Sequence, residues 1–240
     1  MVSESLRVDL EKDGFAVVPS VLTNAEMEQL RTLIAETDCE GPAFRKTSDL
    51  FAVRRFLEVV PGVWQVLAQS GLRSLVETAG GSDFFLVKSI YFDKPEESNW
   101  FVSYHQDLTI SVMRKENVEG YGPWTIKPGQ FGVQPPLQVL EEAFTIRIHL
   151  DDTDETNGAL RVIPGSHRKG VYRSEKIDWT IEKEVVCSVP AGGAMLMKPL
   201  LLHASNRTSN GRRRRVIHLE WNRIGLTEPL QWAEYRNLDG

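Results

Sequence analysis

Residues 203–221 read HASNRTSNGRRRRVIHLEW, and this stretch decides the fold of the chain. A histidine follows the apolar run 195–202, a turn-rich loop leads into four consecutive arginines, and a β-prone segment comes next. If that segment is a strand, its side chains alternate between two faces. The alternation divides it into two sets: Arg214, Val216, His218 and Glu220, and Arg215, Ile217, Leu219 and Trp221.

The period-two pattern extends upstream from this stretch to about residue 84. Short β-prone runs separated by Gly/Pro turns occur at 84–92, 100–105, 143–150, 159–163, 185–189, 194–197 and 216–221. Because these runs do not alternate with helices, a sandwich, a barrel or a jelly roll is favoured over a parallel sheet.

The first 80 residues carry a different pattern. They predict a short strand at 14–18, a helix capped by Thr23 or Asn24, and further helical segments over 44–78. We find no repeat or linker in the 240 residues. The chain is therefore predicted to be one mainly β domain over 1–240, with a helical part at about 1–80 and a β core at about 84–225.

One long segment, 115–138, interrupts the β rhythm. It is rich in glycine and proline and holds the aromatic residues Tyr121, Trp124 and Phe131. Long connections of this kind inside a compact domain are usually functional or disordered, and three aromatic residues argue against plain disorder. We predict a lid or pocket wall here, with a passive surface loop as the alternative.

Composition and charge exclude several classes of function. The formal net charge of −5 argues against nucleic acid as the main partner. No apolar run approaches the ~18 residues that a membrane span requires, so no membrane partner is expected. Two cysteines, Cys39 and Cys187, are too few for a disulfide framework, which makes a reducing cytoplasmic location the expectation.

The metal-binding signal begins with His105-Gln106-Asp107. In a strand His105 and Asp107 point to the same face, so they can hold one ion while Gln106 points away. His203, in a similar β setting, can complete the set of two histidines and one carboxylate that binds iron in non-haem Fe(II) oxygenases. The alternative is that His105 or His203 is an ordinary core histidine.

The arginines after His203 favour the metal site. An inward-pointing Arg214 can hold the distal carboxylate of a 2-oxo acid through two parallel hydrogen bonds. Arg212 and Arg213 are better explained as a solvated basic patch. If Arg214 does not point inward, its neighbour Arg213 or Arg215 takes the role.

Several motifs together resemble the phytanoyl-CoA dioxygenase family of Fe(II)/2-oxoglutarate oxygenases. They span nearly the whole chain in the family's order: Gly14-Phe15, His105-Gln106-Asp107, residues 157–160, residues 164–167 and residues 203–214. The resemblance implies a double-stranded β-helix, or jelly roll, with His105, Asp107 and His203 as the iron ligands.

The resemblance also implies the cofactor contacts. Arg214, eleven residues after His203, would bind the distal carboxylate of 2-oxoglutarate. Ser205, Thr145 and Lys88 match family positions that contact the same cofactor. On Thr145's strand, alternation places Arg147 and His149 on the same face as Thr145, where they line a cavity or face solvent.

The predicted function is hydroxylation of a small molecule with release of succinate and CO₂, with O₂ as co-substrate. A small, anionic and amphipathic substrate would suit the candidate contacts, which are Trp124, Phe131, Arg147 and Trp221. Two alternatives remain at this point. One is a catalytically inactive jelly-roll protein that binds a metal or ligand, and the other is an interaction protein that uses Arg212–Arg215.

Overall fold

The computed structural model describes residues 2–37, 43–46, 51–94, 101–127 and 129–238. Cys39 and Trp100, the first residue of a predicted strand, lie outside these ranges. Within them, no helix is both long and apolar enough to cross a membrane. The α-helices are α1 (Val2–Lys12), α2 (Asn24–Ala35), α3 (Phe56–Val59), α4 (Pro61–Gln69), α5 (Leu72–Ala79) and α6 (Leu137–Glu141).

Helix α2 begins where the sequence predicted. Thr23 is its N-cap, and its hydroxyl accepts a hydrogen bond from the backbone N–H of Glu26. The Glu26 carboxylate in turn accepts from the backbone N–H of Thr23 at 2.7 Å, which completes a capping box. Helix α1 was not predicted: Leu6 and Leu10, one turn apart, are buried, whereas the apolar Val8 between them is exposed, so the helical period is weak.

The strands form three sheets. Their bounds are β1 (Phe15–Val18), β2 (Phe44–Lys46), β3 (Phe51–Arg54), β4 (Phe85–Lys94), β5 (Val102–His105), β6 (Ile110–Val112), β7 (Trp124–Lys127), β8 (Gln130–Val133), β9 (Phe144–His149), β10 (Leu160–Val162), β11 (Val185–Cys187), β12 (Ala194–Met197), β13 (His203–Ser205) and β14 (Arg214–Asn222). Among the described residues the large sheet has the order β1-β12-β9-β14-β4-β3-β2, and the smaller sheets are β11-β10-β13-β5 and β6-β8-β7.

The pairing within the two main sheets is antiparallel throughout. A seven-stranded and a four-stranded sheet with many non-consecutive neighbours form the jelly roll that the sequence predicted. The seven predicted β runs all contain strands, and β12 has the predicted bounds.

The main apolar core lies between the helices and one face of the large sheet. Ile146 and Ile148 of β9 and Ile217, Leu219 and Trp221 of β14 belong to this cluster, together with side chains of α1 to α5. Their period-two spacing puts them all on the helix-covered face. The alternate residues therefore face the interior of the jelly roll: Thr145, Arg147 and His149 of β9, and Arg214, Val216, His218 and Glu220 of β14.

Two regional predictions need correction. The predicted strand at 14–18 is present as β1, but residues 44–54 contain β2 and β3 rather than helix, and both join the large sheet. The segment 115–138 is not without structure, because β7 and β8 lie within it and pair with each other and with β6. Strands this short and glycine-containing give almost no periodicity, which is why the pattern did not reveal them.

Candidate metal centre and cofactor cavity

The two predicted metal-binding histidines lie on neighbouring strands in direct register. His105 ends β5, His203 begins β13, and the two residues are cross-strand partners. Their ring centroids are 4.2 Å apart. The antiparallel pairing thus joins two positions that are 98 residues apart in the sequence.

The backbone fixes which ring nitrogen of each histidine faces the centre. Nδ1 of His105 lies 2.9 Å from the carbonyl oxygen of Ser103, and Nδ1 of His203 lies 2.9 Å from that of Leu201. A carbonyl can only accept, so each Nδ1 carries the hydrogen and each Nε2 presents a lone pair. Metal-binding histidines are oriented in the same way by a hydrogen bond from the other ring nitrogen.

Asp107 completes the cluster just beyond the end of β5. Its Oδ1 and Oδ2 lie 3.8 Å from Nε2 of His105 and of His203 respectively. Its backbone N–H donates to the carbonyl oxygen of Pro199 at 2.9 Å, which fixes the turn. The ligand atoms of the three residues all lie within 4.8 Å of one another, so one ion can reach all three.

Gln106 points away from the centre, as alternation predicted. Its amide nitrogen donates to the carbonyl oxygens of Gly170 and Leu200, and its amide oxygen accepts from the backbone N–H of Tyr172 at 2.8 Å. Gln106 therefore ties the segment that carries His105 and Asp107 to two neighbouring loops.

The charge states of the cluster suit a cation. Burial would raise the pKa of Asp107, but its electrostatic interactions with His203, His218, His105 and Lys88 outweigh that effect and lower it to about 2. Burial lowers the pKa of His203 to about 4, although Asp107 opposes this shift. At neutral pH the carboxylate is ionised and the His203 ring is neutral, which are the forms that bind a metal.

Next to this centre, the interior face of the large sheet carries two buried arginines. Arg214 donates to the carbonyl oxygen of Gly158, and Nη1 of Arg147 lies 2.9 Å from Nδ1 of His218. Burial lowers the pKa of Arg214 to about 9 and that of Arg147 to about 10. Neither guanidinium forms an ion pair with a carboxylate of the described residues.

Lys94 adds a third buried cation beside Arg214. Its ammonium donates to the carbonyl oxygen of Asn206 at 2.6 Å, and burial followed by the charge of Arg214 lowers its pKa to about 8. Gly158, at φ +85°, leaves room for it, because a Cβ there would lie 2.8 Å from the Lys94 nitrogen. This gives a physical reason for glycine at one of the motif positions.

These groups fit a bound dicarboxylate. Buried charges are costly unless they are paired, and an anion between Arg214 and Arg147 would supply the missing partner. Among the described residues, the buried Nε atoms of both arginines and Nε2 of His149 lack a hydrogen-bond partner. Arg214 was the predicted anchor, and the structure places it on the interior face.

The other predicted cofactor contacts are also interior residues. Ser205 is buried, and its hydroxyl donates to the Gly158 carbonyl oxygen at 2.9 Å, the same oxygen that Arg214 contacts. Thr145 is 1 % exposed and faces the interior with Arg147 and His149, which excludes the solvent-facing alternative for that strand. Lys88 lies further along, with its ammonium 2.8 Å from Glu220.

The predicted substrate residues divide into three groups. Phe131 lines a pocket of about 260 Å³ between β4 and the three-stranded sheet β6-β8-β7. Trp124 packs against the apolar cluster that contains Val112 and Val133. Arg147 is an interior residue. Trp221 does not join them, because it lies on the opposite face of β14, fully buried in the core under the helices.

The arginines flanking Arg214 do not form a free basic patch. Arg212 pairs with Asp154, Arg213 with Asp93, and Arg215 with Asp151. Each of these charges is therefore neutralised locally, which removes the physical basis for an interaction protein built on this cluster.

The sequence did not identify two interior residues that take part in the site. The sequence assigned His218 and Glu220 only to the same face of the predicted strand as Arg214. In the structure Glu220 lies 3.0 Å from Nε2 of His218 and also binds Lys88. Their shared alternation with Arg214 was the available signal.

Comparisons with known proteins agree with this fold. The family model described as phytanoyl-CoA dioxygenase matches residues 10–216. An L-proline trans-4-hydroxylase from Streptomyces griseoviridis is 27% identical over 114 residues. That match covers 36% of this chain and 42% of the hydroxylase, so the chain is aligned with less than half of this relative.

Solved structures are similar over almost the whole chain. The non-haem alpha ketoglutarate dependent epimerase SnoN from nogalamycin biosynthesis superposes with a TM-score of 0.67 at 18% identity, covering 92% of this chain and 83% of its own. HygX from Streptomyces hygroscopicus, solved with nickel, 2-oxoglutarate and hygromycin B, has a TM-score of 0.64 at 17% identity and covers 97% of this chain and 96% of its own. At these identities the similarity establishes the fold.

Proposed function

Because the chain belongs to the phytanoyl-CoA dioxygenase family, we propose that it is an Fe(II)- and 2-oxoglutarate-dependent dioxygenase that hydroxylates a small molecule. The observation that carries this proposal is the placement of His105, Asp107 and His203 around one point, together with the buried guanidinium of Arg214, which has no carboxylate partner among the described residues.

Each part of the site has a role in this proposal. His105, Asp107 and His203 would hold the iron and leave the rest of its coordination sphere open. Arg214 and Ser205, which share the Gly158 carbonyl oxygen, would bind 2-oxoglutarate, and Thr145 and Lys88 are the further contacts that the resemblance implies. When bound, iron and 2-oxoglutarate supply the oxidising chemistry, in which O₂ is consumed and succinate and CO₂ are released. The protein orients the reactants and excludes water.

The pocket between β4 and the three-stranded sheet β6-β8-β7 is the proposed substrate site. Lys88 belongs both to its wall and to the interior face, so the pocket adjoins the interior polar residues at Glu220. Its lining combines apolar side chains such as Ile90 and Phe131 with the cations Arg55 and Lys127 and one buried carboxyl, Glu234. This excess of cations over carboxylates, together with apolar walls, supports a small anionic and amphipathic substrate.

The segment 115–138 is proposed to act as the wall and lid of that pocket. Phe131 of β8 faces the pocket, and Trp124 of β7 packs below in a cluster that also contains Val112 and Val133. Closure of such an element over a bound substrate would keep water from the reacting atoms.

The test is an anaerobic titration of the metal-free protein with Fe(II) and then with 2-oxoglutarate. We expect the weak visible charge-transfer band of an iron–2-oxoglutarate chelate in the wild type and no band in His203→Ala. His167→Ala is the matched control, because His167 contacts the backbone oxygen of Glu11 outside the site and its loss should leave the band intact.

Two results would contradict the proposal in different ways. If folded, iron-loaded protein gives no band, the chain does not bind 2-oxoglutarate at the metal. If the band forms but succinate never appears with O₂ across a screen of small anionic molecules, the chain is a metal- and ligand-binding jelly roll without turnover.

A further inference from the structure

Three neighbouring strands of the large sheet present a regular grid of side chains to the interior. In the register of β9, β14 and β4, His218 stands opposite Arg147 on one side and Ile90 on the other. In the next row along the strands, Glu220 stands between Thr145 and Lys88. Arg147 and Glu220 are therefore diagonal neighbours, with His218 beside both.

Four of these side chains form an unbroken hydrogen-bonded chain, which we call the interior polar chain (Arg147, His218, Glu220 and Lys88). Nη1 of Arg147 is 2.9 Å from Nδ1 of His218, and Nε2 of His218 is 3.0 Å from Oε1 of Glu220. The same carboxylate oxygen accepts from the Lys88 ammonium at 2.8 Å. His218 is 4 % exposed, so water does not compete for its two nitrogens.

The donors and acceptors along the chain can be arranged in only one way with a neutral imidazole. A guanidinium donates and never accepts, so Nδ1 of His218 must be the acceptor. Nε2 then carries the hydrogen and donates to the Glu220 carboxylate. Burial lowers the pKa of His218, which agrees with a neutral ring.

The neutral ring of His218 lies between Arg147 and Glu220 and prevents these two side chains from pairing directly. Diagonal neighbours on adjacent strands lie about 7–8 Å apart, within reach of side chains as long as arginine and glutamate. Arginine forms strong, two-bonded pairs with carboxylates wherever the geometry allows. Without the ring, Arg147 and Glu220 would be free to pair directly.

We propose that His218 is a positioning residue that keeps Arg147 apart from Glu220, so that the Arg147 guanidinium remains available to the 2-oxoglutarate dianion and Glu220 remains the partner of Lys88. Arg147 thereby becomes a cofactor contact rather than the substrate contact that the sequence predicted. This inference rests on the proposed function, because it needs 2-oxoglutarate to occupy the interior beside Arg214.

The interior charge balance supports this assignment. Arg147 and Arg214 both lack a carboxylate partner among the described residues, and both have a buried Nε without a hydrogen-bond partner. Glu220 is already bound by Lys88 and His218. A direct Arg147–Glu220 pair would leave Lys88 to share its carboxylate and would withdraw one of the two guanidinium groups that face the anion.

The test is a double-mutant cycle read out as the dissociation constant of 2-oxoglutarate, measured anaerobically with Fe(II) and no substrate. His218→Ala should weaken binding by about fivefold to tenfold, because the direct pair then competes with the anion. In the Glu220→Gln background the same substitution should change the constant by less than about twofold, since no carboxylate remains for Arg147 to bind. His218→Gln, whose amide can accept from Arg147 and donate to Glu220, should bind like the wild type.

The outcomes separate the possible roles of His218. Equal weakening by His218→Ala in both backgrounds would mean that the ring only fills space, and an unchanged constant would also overturn the inference. Arg214→Ala is the reference for the cofactor site: if it leaves binding unchanged, the proposed function itself fails. If His218→Ala does not fold, His218→Ser leaves the same gap and is used in the same cycle.

Discussion

The two faces of β14 are equally buried but carry opposite chemistry. On the helix-covered face Ile217, Leu219 and Trp221 are fully buried among apolar side chains. On the interior face Arg214 and His218 are 6% and 4% exposed, yet both are polar. Burial alone therefore does not distinguish a core from a site. The distinction is charge: Arg214 is a buried cation, and no carboxylate among the described residues pairs with it.

Arg213 and Arg215, the neighbours of Arg214 in sequence, differ from it in having carboxylate partners. Arg213 holds Asp93 through two hydrogen bonds, and Arg215 holds Asp151 in the same way. These aspartates complete the charge of their arginines within the protein. Arg214, between them in sequence, points to the other side of the sheet, donates to the backbone carbonyl of Gly158 and has no carboxylate partner within the described ranges. Arg214 is proposed as the ligand contact because it is the arginine of this run to which the described part of the chain supplies no anion.

The largest expected effect comes from breaking the helix-covered face. Trp221→Ala should lower the free energy of unfolding by about 3–5 kcal/mol, because it leaves a cavity the size of an indole ring in a packed core. Urea denaturation of the two proteins measures the difference. Trp221→Phe keeps most of the ring and should lose much less. A loss under about 1 kcal/mol for Trp221→Ala would mean that this face is not part of the core.

The alternation of side chains along β14 was predictable from the sequence, but the residues opposite them on β9 and β4 were not. Period two alone divides Arg214, His218 and Glu220 from Trp221, and the structure has the same division. The metal-binding residues followed from the spacing of His105 and Asp107 and from the resemblance of the motifs to a family. The interior polar chain depends on which residue of β9 and β4 stands opposite each residue of β14. That register is set by long-range pairing, which one sequence does not reveal.

Where the sequence prediction failed, the local pattern was weak or misleading. The strands β2 and β3 are three and four residues long, too short to show a period, and the helices that follow extended the helical prediction over them. Trp221 was taken as a substrate contact because it is aromatic and near the motif. Its place in the alternation already assigned it to the other face, so the physical pattern was the better guide.

The interior face should respond to mutation in the opposite direction from the helix-covered face. Arg214→Met replaces a buried cation that lacks a carboxylate by an apolar side chain of similar length. We expect it to raise the free energy of unfolding of the ligand-free protein by about 1 kcal/mol. The same variant should lose the increase in melting temperature that 2-oxoglutarate gives the wild type. A variant that is less stable than the wild type without ligand would show that Arg214 is a structural residue.

The smallest effect should come from substitution of Arg212, which lies at the surface. Arg212 and Asp154 form an ion pair whose side chains are 49% and 38% exposed, so solvent screens their attraction. Arg212→Ala should therefore change the free energy of unfolding by less than about 0.5 kcal/mol and leave 2-oxoglutarate binding unchanged. Denaturation and ligand titration of this variant beside Arg214→Met test whether position in the alternation, rather than membership of the arginine run, determines function. If Arg212→Ala also weakened 2-oxoglutarate binding, the run would act as one electrostatic unit, and the assignment of the anchor to Arg214 alone would be wrong.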